Sequence, residues 1–206
     1  MIELISKTPE PGWCKTRIGS IIGSEKAAQL QEALLNDSFR VSNHQKLPVR
    51  IWLGSKMEND STLMFPKEYK VHRKMNVTLG EIIECASVEP TDSKFKILVG
   101  VDSPHALFQH LPTAIELLRE NSRVLGPTED GGVYLIGFQI GQNKWKDVDW
   151  GTDKVFRQLY STDSVILSKE MDIDRMEELT RFQEIIKSHP EWAPSCAELL
   201  RKWNNF

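Results

Sequence analysis

The chain has 206 residues, 40% of them hydrophobic, with 26 Lys and Arg against 29 Asp and Glu for a formal charge of −3. That length suits one domain that buries about 70% of its unfolded surface, so no disulfide or structural metal is needed to hold a core. The near balance of charge argues against a non-specific nucleic-acid binder, which needs a strongly basic surface, and leaves room for a small anionic ligand at a local basic site.

Residues 2–6 (IELIS) read as a first strand, and KTPEPGWCKTRIG after it as a turn-rich loop running to Gly19. From Ser24, a plausible N-cap, the spacing of Ala27, Leu30, Leu34, Leu35 and Phe39 predicts a helix. PVRIWL at 48–53 reads as a strand, the polar stretch 55–70 yields no clear element, and VTLGEIIECA from Val77 reads as a short helix. FKILVGV at 95–101 is the continuous apolar run expected of a strand covered on both faces. After Pro104 the pattern predicts a connection, then a helix around 112–120, a strand at 123–125, the turn GPTEDGG and a strand at 133–140. A helix near 153–160, strand SVILS at 164–168, a helix from about Arg175 and an amphipathic helix at 194–203 complete the series.

Strands and helices alternate, which predicts an α/β protein with a mostly parallel central sheet flanked by helices, as a single domain over 1–206. Cys14, Cys85 and Cys196 have no metal-ligand spacing, and no apolar stretch approaches the length of a membrane span. The expectation is a reduced, cytoplasmic protein with no span.

In an open α/β sheet ligands bind beyond the carboxyl ends of the strands, and three unusual segments fall there. The loop after the first strand carries Lys7, Lys15 and Arg17 with Gly12, a set that suits a di- or triphosphate and equally suits a solvated basic loop; it is not a Walker A loop. Asp102, directly after the most apolar strand, suits a magnesium ligand or simply the opening of a turn before Pro104. In MDID, an extended chain would point Asp172 and Asp174 to one side; Asp174 also reads as a helix cap, which leaves Asp172 as a candidate metal ligand.

Between these segments, Asp130, Gly131 and Gly132 form either an anion nest or an ordinary hairpin turn. The five histidines are scattered, with only His105 near a candidate site. Cys14 has no adjacent base, which argues against covalent catalysis. Trp13 and Trp150 are the two tryptophans near ligand loops.

Taken together, KTPEPGWCKTRIG, GVDSP, GPTEDGGVYLIG, DWGTDKVF and MDIDRMEEL, in this order, resemble the bacterial family of small nucleotide-diphospho-sugar-transferase-like proteins with the glycosyltransferase-A fold, relatives of the 2-phospho-L-lactate and molybdenum-cofactor guanylyltransferases. The resemblance runs from Lys7 to about Leu179. It implies a Rossmann-like domain, a nucleotide or nucleotide-sugar substrate, a small-molecule acceptor and Mg²⁺ or Mn²⁺ as cofactor. Lys15 and Arg17 would hold the phosphates, Lys7, Gly12, Gly131 and Gly132 would line the nucleotide site, and Asp130 would serve catalysis. Asp102 with Asp172 or Asp174 would bind the metal.

Two positions depart from the family pattern: Val133 stands where a tyrosine is usual, and Ile82 where an arginine is. The implied reaction is glycosyl transfer from a nucleotide-diphospho-sugar. Nucleotidyl transfer with pyrophosphate release is the alternative, and a nucleotide-binding module without catalysis is a third reading.

Overall fold

Strands with both faces covered build the centre of the molecule, of which the computed structural model describes residues 1–56, 65–142, 145 and 147–204. In chain order the elements are β1 (Ile2–Lys7), α1 (Thr16–Ile22), α2 (Ser24–Asn43), β2 (Val49–Ser55), β3 (Lys70–Met75), α3 (Leu79–Val88) and β4 (Phe95–Gly100). There follow α4 (Pro104–Leu117), β5 (Arg123–Pro127), β6 (Val133–Gln139), α5 (Val155–Leu159), β7 (Ser164–Ile166), α6 (Met176–Ser188) and α7 (Pro194–Asn204). The strands form one sheet in the order β3-β2-β1-β4-β6-β5-β7, in which β6 runs antiparallel to β4 and β5 while the other pairs are parallel.

Alternation along each strand assigns its side chains to two cores. Leu4, Ile51, Leu53, Ile97 and Val99 meet Leu35 of α2 and Leu107 and Leu111 of α4 on one face. Ile5, Trp52, Leu98 and Ile136 meet Ile82 and Ile83 of α3 and Val155 and Leu159 of α5 on the other. A third cluster, built on Leu30, Leu34, Leu179, Phe182 and Leu200, packs α6 and α7 against the outer side of α2. Asp37, fully buried on α2, fixes that layer by accepting from the backbone N–H groups of Ser195 and Cys196, each at 2.9 Å, at the start of α7.

At the end of the sheet away from the site lies a buried charge cluster. Glu3 of β1 accepts from Arg50 at 2.7 Å and from the Trp52 indole at 2.7 Å, and stands 3.5 Å from the Lys96 ammonium. Lys96 in turn donates to the carbonyls of Ala86, Ser87 and Glu89, capping the carboxyl end of α3. The other end of α3 is closed by a capping box between Thr78 and Glu81.

The structure corrects the sequence reading in several places. The basic loop ends at Lys15, and Thr16–Ile22 forms helix α1, because Ile18 finds the core and Gly19 lets α1 and α2 touch; a Cβ there would lie 3.1 Å from that of Ala27. Helix α4 starts at Pro104, where a missing N–H costs nothing, and runs through Pro112. Pro112 and Phe108 are both exposed, so the carbonyl that loses its partner faces solvent. Strand β3, KVHRKM, is half-exposed and charged because it forms the edge of the sheet, and so lacks the apolar signal of its neighbours. Residues 57–64 of the unassigned polar stretch lie outside the described residues. Among the described residues no helix is long and apolar enough to cross a membrane.

Candidate functional site

The parallel strands β1, β2 and β4 end on the same side of the sheet, and beyond their carboxyl ends opens a cleft of about 350 Å³. Its first wall is the loop between β1 and α1. Glu10, buried between two prolines, accepts from the Ser55 hydroxyl at 2.8 Å, from Lys56 N–H at 3.4 Å and from the Thr8 hydroxyl, which pins the loop to the end of β2. Thr8 N–H and the Trp13 indole both donate to the Gly54 carbonyl, at 2.9 and 3.0 Å. Gly12 takes a left-handed φ of 75° so that the loop can turn back, but it does not line the cleft.

The three expected cations all reach the cleft. Lys7 lies 5.0 Å from the centre of the Trp13 ring and donates to the Trp13 carbonyl at 3.4 Å. Lys15 sits in the left-handed region at φ 45°, a strained backbone for a non-glycine residue, with its side chain 3% exposed. Its ammonium lies 2.6 Å from Asp102 Oδ1 and donates to the Ile173 carbonyl. Arg17, on the exposed first turn of α1, pairs with Asp174.

Four aspartates complete the polar part of the cleft. Asp102 follows β4, where Ile173 N–H donates to its carbonyl at 2.9 Å and so ties the end of β4 to the segment after β7. Met171 and Ile173 are buried while Asp172 and Asp174 face the cleft, as an extended chain requires. Burial, together with the charges of Asp130 and Asp102, pushes the Asp172 carboxyl up to about 6. Asp174 is not the helix cap expected of it: α6 starts one residue later, with Arg175 N–H donating to Glu178 at 2.6 Å, because the Asp174 carboxylate is engaged by Arg17. Among the described residues no three His, Cys, Asp or Glu side chains stand together as a metal site, so Asp102, Asp172 and Asp174 do not form one three-ligand set.

The GPTEDGG segment is the hairpin between β5 and β6, and its loop faces the cleft. Asp130 Oδ1 accepts from the Thr128 hydroxyl at 2.5 Å and from Gly132 N–H at 2.9 Å, while Gly131 N–H donates to the Thr128 carbonyl at 3.2 Å. Both glycine N–H groups are thus spent inside the turn, as in the hairpin reading of this segment rather than the anion nest. Gly131 has φ 92°, and a Cβ on it would stand 2.2 Å from the Asp153 carbonyl oxygen; it packs against that loop rather than lining the cleft.

The wall opposite the cations is apolar. Ile82 is 3% exposed, packs with its Cδ1 2.9 Å from where a Cβ on Gly54 would lie, and adds an apolar patch to the floor of the cleft. Trp150 packs over Gly80, where a Cβ would be 2.6 Å from its ring, and Val133 and Val155 continue the surface.

Two residues weighed from the sequence drop out. Cys14 is buried, and burial pushes its thiol up to about 11, which leaves it unreactive. His105 is 1% exposed beside Phe182, and among the described residues neither ring nitrogen has a hydrogen-bond partner. Burial, aided by His110 and Arg181, lowers its pKa to about 4, although Glu170 stands 4.0 Å away. A depressed folded-state value means that the neutral form stabilises the protein above the ordinary 6.5 and that this stability is lost as pH falls towards 4. His105→Leu is expected to remove an acid-induced loss on the order of 3 kcal/mol between those limits, seen by denaturant unfolding at a series of pH values. An equal loss in the variant would assign it elsewhere.

Gln31 and Glu10 were not found from the sequence. Gln31 donates to the Ser6 hydroxyl at 2.9 Å, and its signal was a polar residue inside the apolar stripe of α2. Glu10 had no such signal.

The arrangement of strands is shared with solved structures. A protein of Desulfovibrio desulfuricans G20, provisionally named a nucleotide-diphospho-sugar transferase, is 24% identical with a TM-score of 0.85, over 99% of this chain and 94% of that one. Rv0371c of Mycobacterium tuberculosis H37Rv, in complex with manganese, is 14% identical with a TM-score of 0.55, over 89% of this chain and 97% of that one. The 4-diphosphocytidyl-2C-methyl-D-erythritol synthase of Anaerococcus prevotii DSM 20548 is 13% identical with a TM-score of 0.50, over 91% and 98%. These likenesses establish the glycosyltransferase-A, nucleotidyltransferase-like fold. No curated protein matches the chain. The model of a family of uncharacterised proteins conserved in bacteria, DUF2064, matches residues 34–152, a span that holds Asp102 and Asp130 as well as Ile82 and Val133. The chain belongs to this DUF2064 family of bacterial proteins.

Proposed function

We propose that the protein is a divalent-cation-dependent transferase that passes the glycosyl group of a nucleotide-diphospho-sugar to a small-molecule acceptor. The observation that carries this reading is the meeting of Lys15 and Arg17 with Asp102, Asp130 and Asp172 in one cleft at the carboxyl ends of the strands. The likeness to the D. desulfuricans protein supports it.

The donor set suits a hard divalent cation. Asp102 Oδ1 is buried without a hydrogen bond of good geometry, and among the described residues the Lys15 ammonium alone is paired with it. Burial, with the carboxylates of Asp130 and Asp102 beside it, raises the pKa of Asp172. Asp102 and Asp172 would hold Mg²⁺ or Mn²⁺, with diphosphate oxygens and water as the remaining ligands, the arrangement magnesium prefers. Rv0371c, of the same fold, was captured with manganese. Once bound, the cation would neutralise charge gathering on the leaving diphosphate.

Lys15 and Arg17 would bind the diphosphate oxygens, Arg17 by its planar fork and Lys15 as a point charge. The acceptor hydroxyl oxygen bonds to the anomeric carbon as the bond from that carbon to the diphosphate breaks, the electron pair leaving with the nucleoside diphosphate. The hydroxyl proton passes to Asp130, whose carboxylate is oriented by Thr128 and Gly132. Gly131 and Gly132 would contribute by shaping this turn. Trp13 and Trp150 line the cleft and would reduce access of water as a competing acceptor.

The fold is also that of the A. prevotii synthase, which supports nucleotidyl transfer as the competing reading. The product separates the two. Incubation with a panel of nucleotide sugars and nucleoside triphosphates plus Mg²⁺ is expected to yield free nucleoside diphosphate; release of pyrophosphate would establish the other reaction.

A further inference from the structure

We infer that the second substrate of this cleft carries no phosphate or carboxylate and presents an apolar face to Val133, Trp150 and Val155. The inference rests on the transferase reading and names the acceptor class that reading leaves open. Among the described residues, the cleft is lined by three cations and four carboxylates. All three cations come from the loop after β1 and the first turn of α1; Lys15 and Arg17 are paired with Asp102 and Asp174, while Lys7 is held by the neutral carbonyl and ring of Trp13. A nucleoside diphosphate brings at least two negative charges, and a divalent cation with Lys15 and Arg17 would be consumed in balancing them and the aspartates. Among the described residues, a second anionic group would meet these carboxylates with Lys7, held at Trp13, as the remaining cation to offset them.

The part of the lining built by Val133, Trp150 and Val155 is mainly apolar, and the Thr152 hydroxyl beside it is spent on the Asp149 carbonyl. Trp150 is fixed by its packing on Gly80 and lies 6.3 Å, ring to ring, from Trp145, which gives a rigid aromatic surface that costs little entropy to use. Val133 and Val155 flank it in the cleft. The neighbouring Lys154 does not line the cleft and stands 3.6 Å from Asp149. Ile82, packed on Gly54 at the floor of the cleft, adds an apolar contact and no charge. Such a surface suits an acceptor hydroxyl carried on an aryl or alkyl group, as in an aromatic glycoside or an apolar alcohol. It does not suit the phosphorylated small acid or sugar phosphate that a nucleotidyl acceptor would be.

The test uses the whole chain, first titrated calorimetrically with UDP, GDP, ADP and CDP in turn in the presence of Mg²⁺. The protein saturated with the tightest of these is then titrated with phenyl β-D-glucoside and, separately, with glucose 6-phosphate. Phenyl glucoside is expected to bind at least fivefold more tightly. In Val133→Lys the order should reverse, and in Trp150→Ala phenyl glucoside should weaken at least fivefold more than the nucleotide does, with the nucleotide step showing that each variant is folded. Glucose 6-phosphate binding as tightly, neither probe binding, an unaltered order in Val133→Lys, or Trp150→Ala weakening the nucleotide as much as the glucoside would each overturn the inference. Failure of every nucleotide to bind with Mg²⁺ would instead overturn the transferase reading beneath it.

Discussion

Asp102→Asn is expected to leave the fold intact and to abolish the gain in nucleotide affinity that Mg²⁺ confers, a loss of at least about tenfold, or roughly 1.4 kcal/mol. Asp102 is about half exposed and follows the end of β4, so an isosteric amide there disturbs no core packing. The amide keeps the shape and removes one of the two carboxylates proposed to hold the cation. It also releases Lys15, whose ammonium sits 2.6 Å from the Asp102 carboxylate. Affinity measured in EDTA should therefore hold steady or rise, because the freed ammonium can meet the diphosphate. Calorimetric titration of both proteins with and without metal reads the two effects separately. Unchanged metal dependence in Asp102→Asn would remove this residue from the site.

The second large effect concerns the far end of the sheet. Glu3→Ala is expected to cost about 3–5 kcal/mol, because it leaves the Lys96 ammonium, 1% exposed, without its carboxylate and Arg50, 6% exposed, with only the more distant Glu89 at 3.5 Å among the described residues. The Trp52 indole N–H loses its acceptor as well. Against a typical total stability of about 5–15 kcal/mol, such a variant would be partly unfolded under mild stress. Lys96 also caps α3, whose other end presents Leu79 and Ile82 to the cleft, so the variant should lose nucleotide affinity along with stability. Glu3→Gln, which keeps an acceptor for Trp52, should cost less. Denaturant unfolding checks both, and a change below about 1 kcal/mol in Glu3→Ala would contradict the view that this cluster anchors α3.

Sequence patterns made the buried elements legible. The uninterrupted apolar run of β4 announced a strand covered on both faces, and the spacing of Leu30 and Leu34 announced α2. Edge and boundary features were harder, because their local chemistry points elsewhere. Strand β3 is polar because it is an edge, α1 hides in a segment whose glycines and prolines read as loop, and Pro112 inside α4 reads as the start of a helix. The polar side of the cleft was legible as residue types at strand ends, and Lys7, Lys15, Arg17, Asp102, Asp130 and Asp172 do line one cleft. Which charges pair across it was not. Lys15 with Asp102 and Arg17 with Asp174 depend on contacts between residues 87 and 157 positions apart, which only the folded sheet creates. Glu10 and Asp37 carry no local signal of burial, because their partners come from distant segments: the Ser55 hydroxyl and Lys56 N–H for Glu10, and the Ser195 and Cys196 N–H groups for Asp37.

The central claim is that this cleft binds a nucleotide diphosphate together with a divalent cation. Its most direct test is calorimetric titration of the unmodified protein with UDP, GDP, ADP and CDP in turn, once with Mg²⁺ and once with EDTA. At least one of the four is expected to bind tenfold or more tightly with the metal present. Equal affinity under both conditions, or no binding of any nucleotide in either, would contradict it.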